Sequence, residues 1–157
     1  MIVLLHNIRS LYNVGSVFRT ADAAGIQKIY LCGITPVPVD RFGKPRIQFT
    51  KVSLGAEKYV AWEKISKTEK ILDKLKKEGY KILAIEQSKK SISYYKLKVK
   101  SSELKKTVLI LGNEANGLSK LILRKSDKIL EIPMKGRKES LNVSIAFGIV
   151  VFDLLYK

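Results

Sequence analysis

The chain of 157 residues contains one cysteine and one histidine. A lone thiol excludes a disulfide within the chain, and one thiol with one imidazole makes no zinc cluster, so no metal is expected. Cys32 lies in an apolar run and reads as a buried thiol, which fits a reducing, cytoplasmic compartment. The one histidine, His6, sits inside the first apolar run and reads as structural, so no Ser–His–Asp constellation is supported. Acids are scarce as well. Fourteen Asp and Glu face 30 Lys and Arg, for a net charge of +16 and a pI near 9.9. That excess points to a polyanionic partner, nucleic acid before an anionic membrane surface. No GxGxxG follows the first apolar run and no GxxxxGK[ST] occurs, so neither a dinucleotide fold nor a P-loop is supported. The start MIVLLHN is too short for a signal peptide, and the run Leu141–Tyr156 is short and interrupted by Asn142, Ser144, Gly148 and Asp153. No membrane attachment is expected.

What is present is an alternation. Apolar runs at 2–6, 28–33, 81–87, 107–112 and 128–133 read as buried strands. Helical patterns fall at 14–24, 67–78, 119–124 and 142–156. Strand and helix in alternation predict an α/β fold with a mostly parallel sheet flanked by helices. The segment 34–56, rich in Pro, Gly and Arg, reads as a surface excursion, and the lysine-rich run 89–106 as a solvated face. The last helix is apolar nearly all round, which demands cover on every side; one sheet supplies one side and a second copy of the chain the other.

Three polar clusters sit just past strands, where open α/β sheets place their ligand crevices. They are HNIRSLYNVGSVFR, GNEANGLS and MKGRKESLN. In the first, Asn13 reads as the N-cap of a helix whose Val14, Val17, Phe18, Ala21 and Ala24 face the core. Gly15, Arg19 and Asp22 form a separate stripe, with Gly15 leaving space for a ligand and Asp22 holding Arg19. In the second, glycines and asparagines around Glu114 make a tight loop able to press on a flat ligand. In the third, Ser140 or Asn142 caps the final helix. Each cluster taken singly is explained by ordinary turns and caps.

The three in order, NxGxxxR, LGNExxGL and IPMxGxxxSLNVSxA, resemble the SPOUT superfamily of RNA methyltransferases. The likeness is to the TrmH/SpoU class, which methylates ribose 2′-hydroxyls with S-adenosylmethionine, and it covers nearly the whole chain. It implies a single domain over 1–157 without a separate RNA-binding extension, a trefoil knot at the C-terminal end, and a homodimer through the last helix. It also implies a site composed of Asn13, Arg19, Glu114, Ser140 and Asn142, with the arginine acting on the acceptor hydroxyl. S-adenosylmethionine would lie against Ile85, Glu86, Leu111, Gly112, Ile132, Pro133, Met134, Ser140 and Leu141. The substrate implied is tRNA or rRNA. Arg9, Arg41, Lys44 and Arg46 are the basic residues expected to meet it, from the loop beside the first motif and from the excursion. Arginine is too weak a base to take the ribose proton, so Arg19 is better suited to stabilising the developing oxyanion. Base methylation by a related branch and RNA binding without catalysis are the alternatives.

Overall fold

The computed structural model describes the whole chain, Met1–Lys157. Seven strands form one sheet: β1 (Ile2–His6), β2 (Lys28–Cys32), β3 (Ala61–Ile65), β4 (Lys81–Ile85), β5 (Ile92–Ser93), β6 (Thr107–Leu111) and β7 (Lys128–Glu131). Their order is β3-β2-β1-β6-β4-β7-β5, and every neighbouring pair is parallel. The expected mostly parallel α/β sheet is therefore what forms. Leu5 pairs with Leu111, Leu111 with Ile85, and Ile85 with Leu130. This register ends β1, β6, β4 and β7 at one height, so the loops that follow them meet at one edge.

Successive side chains on a strand face opposite sides, and here both sides are buried. Val3, Leu5, Leu109 and Leu111 pack under α1 (Leu11–Ala23), α2 (Ile47–Ser53) and α6 (Val143–Tyr156), whose contributions include Phe18, Phe49 and Phe147. Ile2, Leu4, Val108 and Ile110 pack under α3 (Thr68–Lys77) and α5 (Lys120–Lys125), through Leu72, Leu75 and Ile122. Burial on both faces is why these strands read as unbroken apolar runs. Each run ends in the structure at or before its expected limit, because the next residues leave the ladder for the loops.

Several expectations change. The N-cap of α1 is Ser10, whose hydroxyl accepts the Asn13 N–H, and Asn13 lies in the first turn, where its side chain does not cap the helix. Gly15 leaves no ligand space. It is buried against α2, where an added Cβ would stand 3.3 Å from the Phe49 carbonyl oxygen. Phe18 and Phe49 meet edge to face at 5.3 Å in the same contact, so part of the 34–56 excursion belongs to the core. The run 89–106 is not wholly solvated either. It holds β5 and α4 (Ser101–Leu104) and buries Leu97 and Leu104. The last helix is half covered: Phe147, Val150, Val151 and Leu154 are buried, while Ile145, Phe152 and Tyr156 are exposed. No helix is long and apolar enough to cross a membrane.

Candidate active site

The loop after β6 is built around Glu114. Its carboxylate accepts the Arg9 N–H at 3.0 Å, the Ser10 N–H at 3.1 Å and the Asn13 side-chain amide at 3.0 Å. Those backbone groups stand at the mouth of α1, where unpaired N–H groups attract a negative charge. Burial alone would raise the Glu114 pKa. The hydrogen bonds from Arg9, the Asn13 amide and Ser10 outweigh it, and the carboxyl titrates below its usual range. Three donors on two oxygens make Glu114 a fixed anion.

Asn13 passes this order on. Its Oδ1 accepts the Asn142 side-chain amide at 3.0 Å, and the Asn142 Oδ1 accepts the Ser144 N–H at 2.9 Å to cap α6. Of the two caps that the sequence allowed, Asn142 is the one used. The three motifs are thus joined by two hydrogen bonds between side chains that are 101 and 129 residues apart.

Beside this network a cavity of about 740 Å³ opens between the loops after β4, β6 and β7. Ile85, Glu86, Leu111, Gly112, Ile132, Met134, Ser140 and Leu141 line it, as do Asn13, Glu114 and Asn142. Pro133 is exposed and does not. Arg19 does not line it either. Six residues beyond Asn13 it stands about 9 Å further along the helix. It is exposed, and Asp22 makes no ion pair with it. The lining also includes Asn116, from the loop expected to press on a ligand, and Gln87 and Ala146, which sequence reasoning missed. The polar pair Glu86–Gln87 just past an apolar strand was the available signal. Glu86 accepts the Leu118 N–H at 2.7 Å, and the Gln87 amide donates to the Glu139 carbonyl at 2.5 Å, so β4's loop ties down both neighbours. At Gly117, with φ +61°, an added Cβ would lie 2.1 Å from the Glu86 carboxylate, so that bond requires glycine.

The expected RNA-facing residues fall in two places. Arg9 is exposed beside Glu114. Arg41, Lys44 and Arg46 are exposed on a small hairpin closed by Asp40, whose Oδ1 accepts the Phe42 and Lys44 N–H groups at 2.8 and 2.9 Å. His6 donates through Nδ1 to Thr68 at 2.7 Å and accepts from Asn7 at 3.0 Å, a structural task. Burial pushes the Cys32 thiol up to about 12, so it stays protonated and inert. No group of three or more His, Cys, Asp or Glu side chains is placed to hold a metal.

Residues 1–152 match the SpoU rRNA Methylase family. The chain is 32% identical over 153 residues to a tRNA (guanosine(18)-2′-O)-methyltransferase of Aquifex aeolicus, covering 98% of itself and 67% of that protein. It is 30% identical over 155 residues to the 23S rRNA (guanosine-2′-O-)-methyltransferase RlmB of Pseudomonas aeruginosa, covering 99% of itself but 58% of that protein. It superposes on the crystal structure of the A. aeolicus TrmH/SpoU tRNA modifying enzyme with a TM-score of 0.82 at 31% identity, covering 98% of itself and 73% of that chain. The AdoMet-bound rRNA methyltransferase of Sinorhizobium meliloti gives 0.85 at 31% identity, with 97% and 54% covered. The chain spans between about half and three quarters of the length of these relatives.

Proposed function

The chain belongs to the SpoU rRNA Methylase family, and from that premise we propose that it transfers a methyl group from S-adenosylmethionine to a ribose 2′-hydroxyl of tRNA or rRNA. One observation carries the reading: the Glu114–Asn13–Asn142 network stands at the rim of a cavity large enough for a nucleoside. The residues present fit the cofactor. Leu111, Ile132, Leu141 and Ala146 give apolar walls for a flat base. Gly112 packs so closely on Gly117 that an added Cβ would lie 2.5 Å from its carbonyl carbon, which leaves a bare backbone wall for polar groups to bond. When bound there, S-adenosylmethionine supplies an electrophilic methyl group on a cationic sulfur.

The chain's own residues hold the acceptor. Glu114, already saturated by donors, orients the Asn13 amide and takes no proton. Asn13 and Asn142, fixed against one another, position the ribose edge, with Ser140 beside them on the cavity wall. Arg19 stabilises the oxygen as it gains negative charge, and the hydroxyl proton leaves to water or to the neighbouring phosphate. Because Arg19 stands outside the cavity of its own chain, we assign it to the cavity of a second copy docked on α6. The strand order supports the knot, with β6 inserted between β1 and β4 and the Gln87–Glu139 bond clasping the last loop.

Calorimetry tests the cofactor. S-adenosylmethionine and its demethylated product are both expected to bind in metal-free buffer containing a chelator. Absence of heat with either compound overturns the enzyme reading and leaves an RNA-binding module. The RNA face is tested with total tRNA. Changing Arg41, Lys44 and Arg46 together to Gln is expected to weaken binding about tenfold or more at low salt. The dependence on salt should flatten as those phosphate contacts go. Unchanged tRNA affinity places the RNA on another face.

A further inference from the structure

A second cavity, of about 420 Å³, lies between the loops after β1, β2 and β6. It shares Asn113, Asn116 and Gly117 with the first, so one loop, pinched by a bond from the Gly117 N–H to the Asn113 carbonyl at 2.8 Å, divides the two. Resting on the RNA methyltransferase reading, we propose that this second cavity holds a nucleotide adjacent to the one methylated, so that the chain reads the sequence beside its target.

Its floor is rigid. Asn7 adopts φ 55°, a left-handed conformation uncommon outside glycine, and its surroundings hold it there. Its N–H donates to the Cys32 carbonyl and its carbonyl accepts the Asn113 amide at 2.8 Å. Its side chain accepts the Ile34 N–H at 3.0 Å and donates to His6. These bonds engage the side chains of Asn7, His6 and Asn113 and fix them in the floor.

The Ser119 hydroxyl on the wall accepts the Ile122 N–H at the start of α5, and three further lining groups are open. The Arg9 guanidinium and the Asn116 side-chain amide have no partner within the chain, although the Arg9 N–H is held by Glu114. The Ile34 side chain is 65% exposed. A cation, an amide that both donates and accepts, and a bare apolar surface match the three parts of a nucleotide: phosphate, base edge and base face. The shared loop also explains the placement, because an RNA strand whose ribose reaches Asn13 in one cavity brings its neighbour to the other side of Asn116.

The test follows backbone amides by NMR in protein saturated with S-adenosylhomocysteine, as dinucleoside monophosphates are added. The Arg9, Ile34 and Asn116 signals are expected to move. Ile34→Glu, a change to an exposed side chain, is expected to weaken that binding about tenfold. Arg9→Gln should do the same, with S-adenosylhomocysteine affinity unaltered in both. Unmoved signals, or equal binding by Ile34→Glu, overturn the proposal. The same shifts produced by inorganic phosphate alone also overturn it, since they mark an anion site without a nucleoside. Absence of dinucleotide binding by the unaltered protein, with its cofactor binding intact, removes this inference only. Dinucleotide binding without any S-adenosylhomocysteine affinity keeps the nucleotide site and removes the methyltransferase reading.

Discussion

Replacing Arg19 with alanine is expected to leave the fold and cofactor affinity unchanged while methyl transfer to the cognate RNA falls about a hundredfold or more, the usual loss for one oxyanion-stabilising group. Stability should not suffer, because Arg19 is exposed and makes no ion pair with any acid of the chain. Its neighbours Val17 and Phe18 carry the packing of α1 and are untouched. Arg19→Lys should recover little, since an ammonium does not reproduce a planar fork spanning hydroxyl and phosphate. The assignment to the other copy's cavity gives a sharper form. A mixed dimer of Arg19→Ala and Asn142→Ala chains keeps one complete site if the arginine acts across the interface. It keeps none if the arginine acts within its own chain. Activity well above either homodimer is the expected result. Wild-type turnover by the Arg19→Ala protein removes the catalytic reading of this arginine.

The sheet was legible because strands buried on both faces write themselves as apolar runs; β1, β2, β4 and β6 are of that kind, and β7 is so in part, with Leu130 buried and Ile129 half-buried. β3 was not, since it is an edge strand with exposed Glu63 and Lys64, stabilised by pairing with β2 and by the Lys28–Glu63 ion pair. Asn13, Glu114 and Asn142 were legible as motif residues. Their joint geometry was not, and the cap of α1 shows why. Ser10 and Asn13 are both good cap residues, and the choice between them is made by Glu114, more than a hundred residues away, which takes up the Arg9 and Ser10 N–H groups. Gly15 was misplaced for a related reason. Its role depends on α2, a helix of seven residues too short to show a period. The position of Arg19 relative to the cavity depends on how α1 crosses the sheet, which no local pattern records.

Placing aspartate at both Ile149 and Phe152 is expected to convert the protein from dimer to monomer at micromolar concentration and to abolish methyl transfer. Ile145, Ile149, Phe152 and Tyr156 follow the i, i+4, i+7, i+11 spacing of one helix face, and Phe152 stacks on Tyr156 with ring centroids 5.8 Å apart. The opposite face, Phe147, Val150, Val151 and Leu154, is buried against the chain's own sheet. The double change therefore acts mainly on the open face, and the fold should persist. A two-fold contact presents every substituted position twice, so four carboxylates would enter one apolar patch. Each such charge costs several kcal/mol to desolvate, enough together to raise the dissociation constant more than about a hundredfold. S-adenosylhomocysteine should still bind the monomer, because the cavity is lined by one chain. Methyl transfer should fail for the reason that Arg19→Ala fails, the arginine no longer standing at the other cavity. Light scattering decides it. A wild type that is monomeric at this concentration, or a double variant that stays dimeric and active, removes the α6 interface and the role of Arg19 across it.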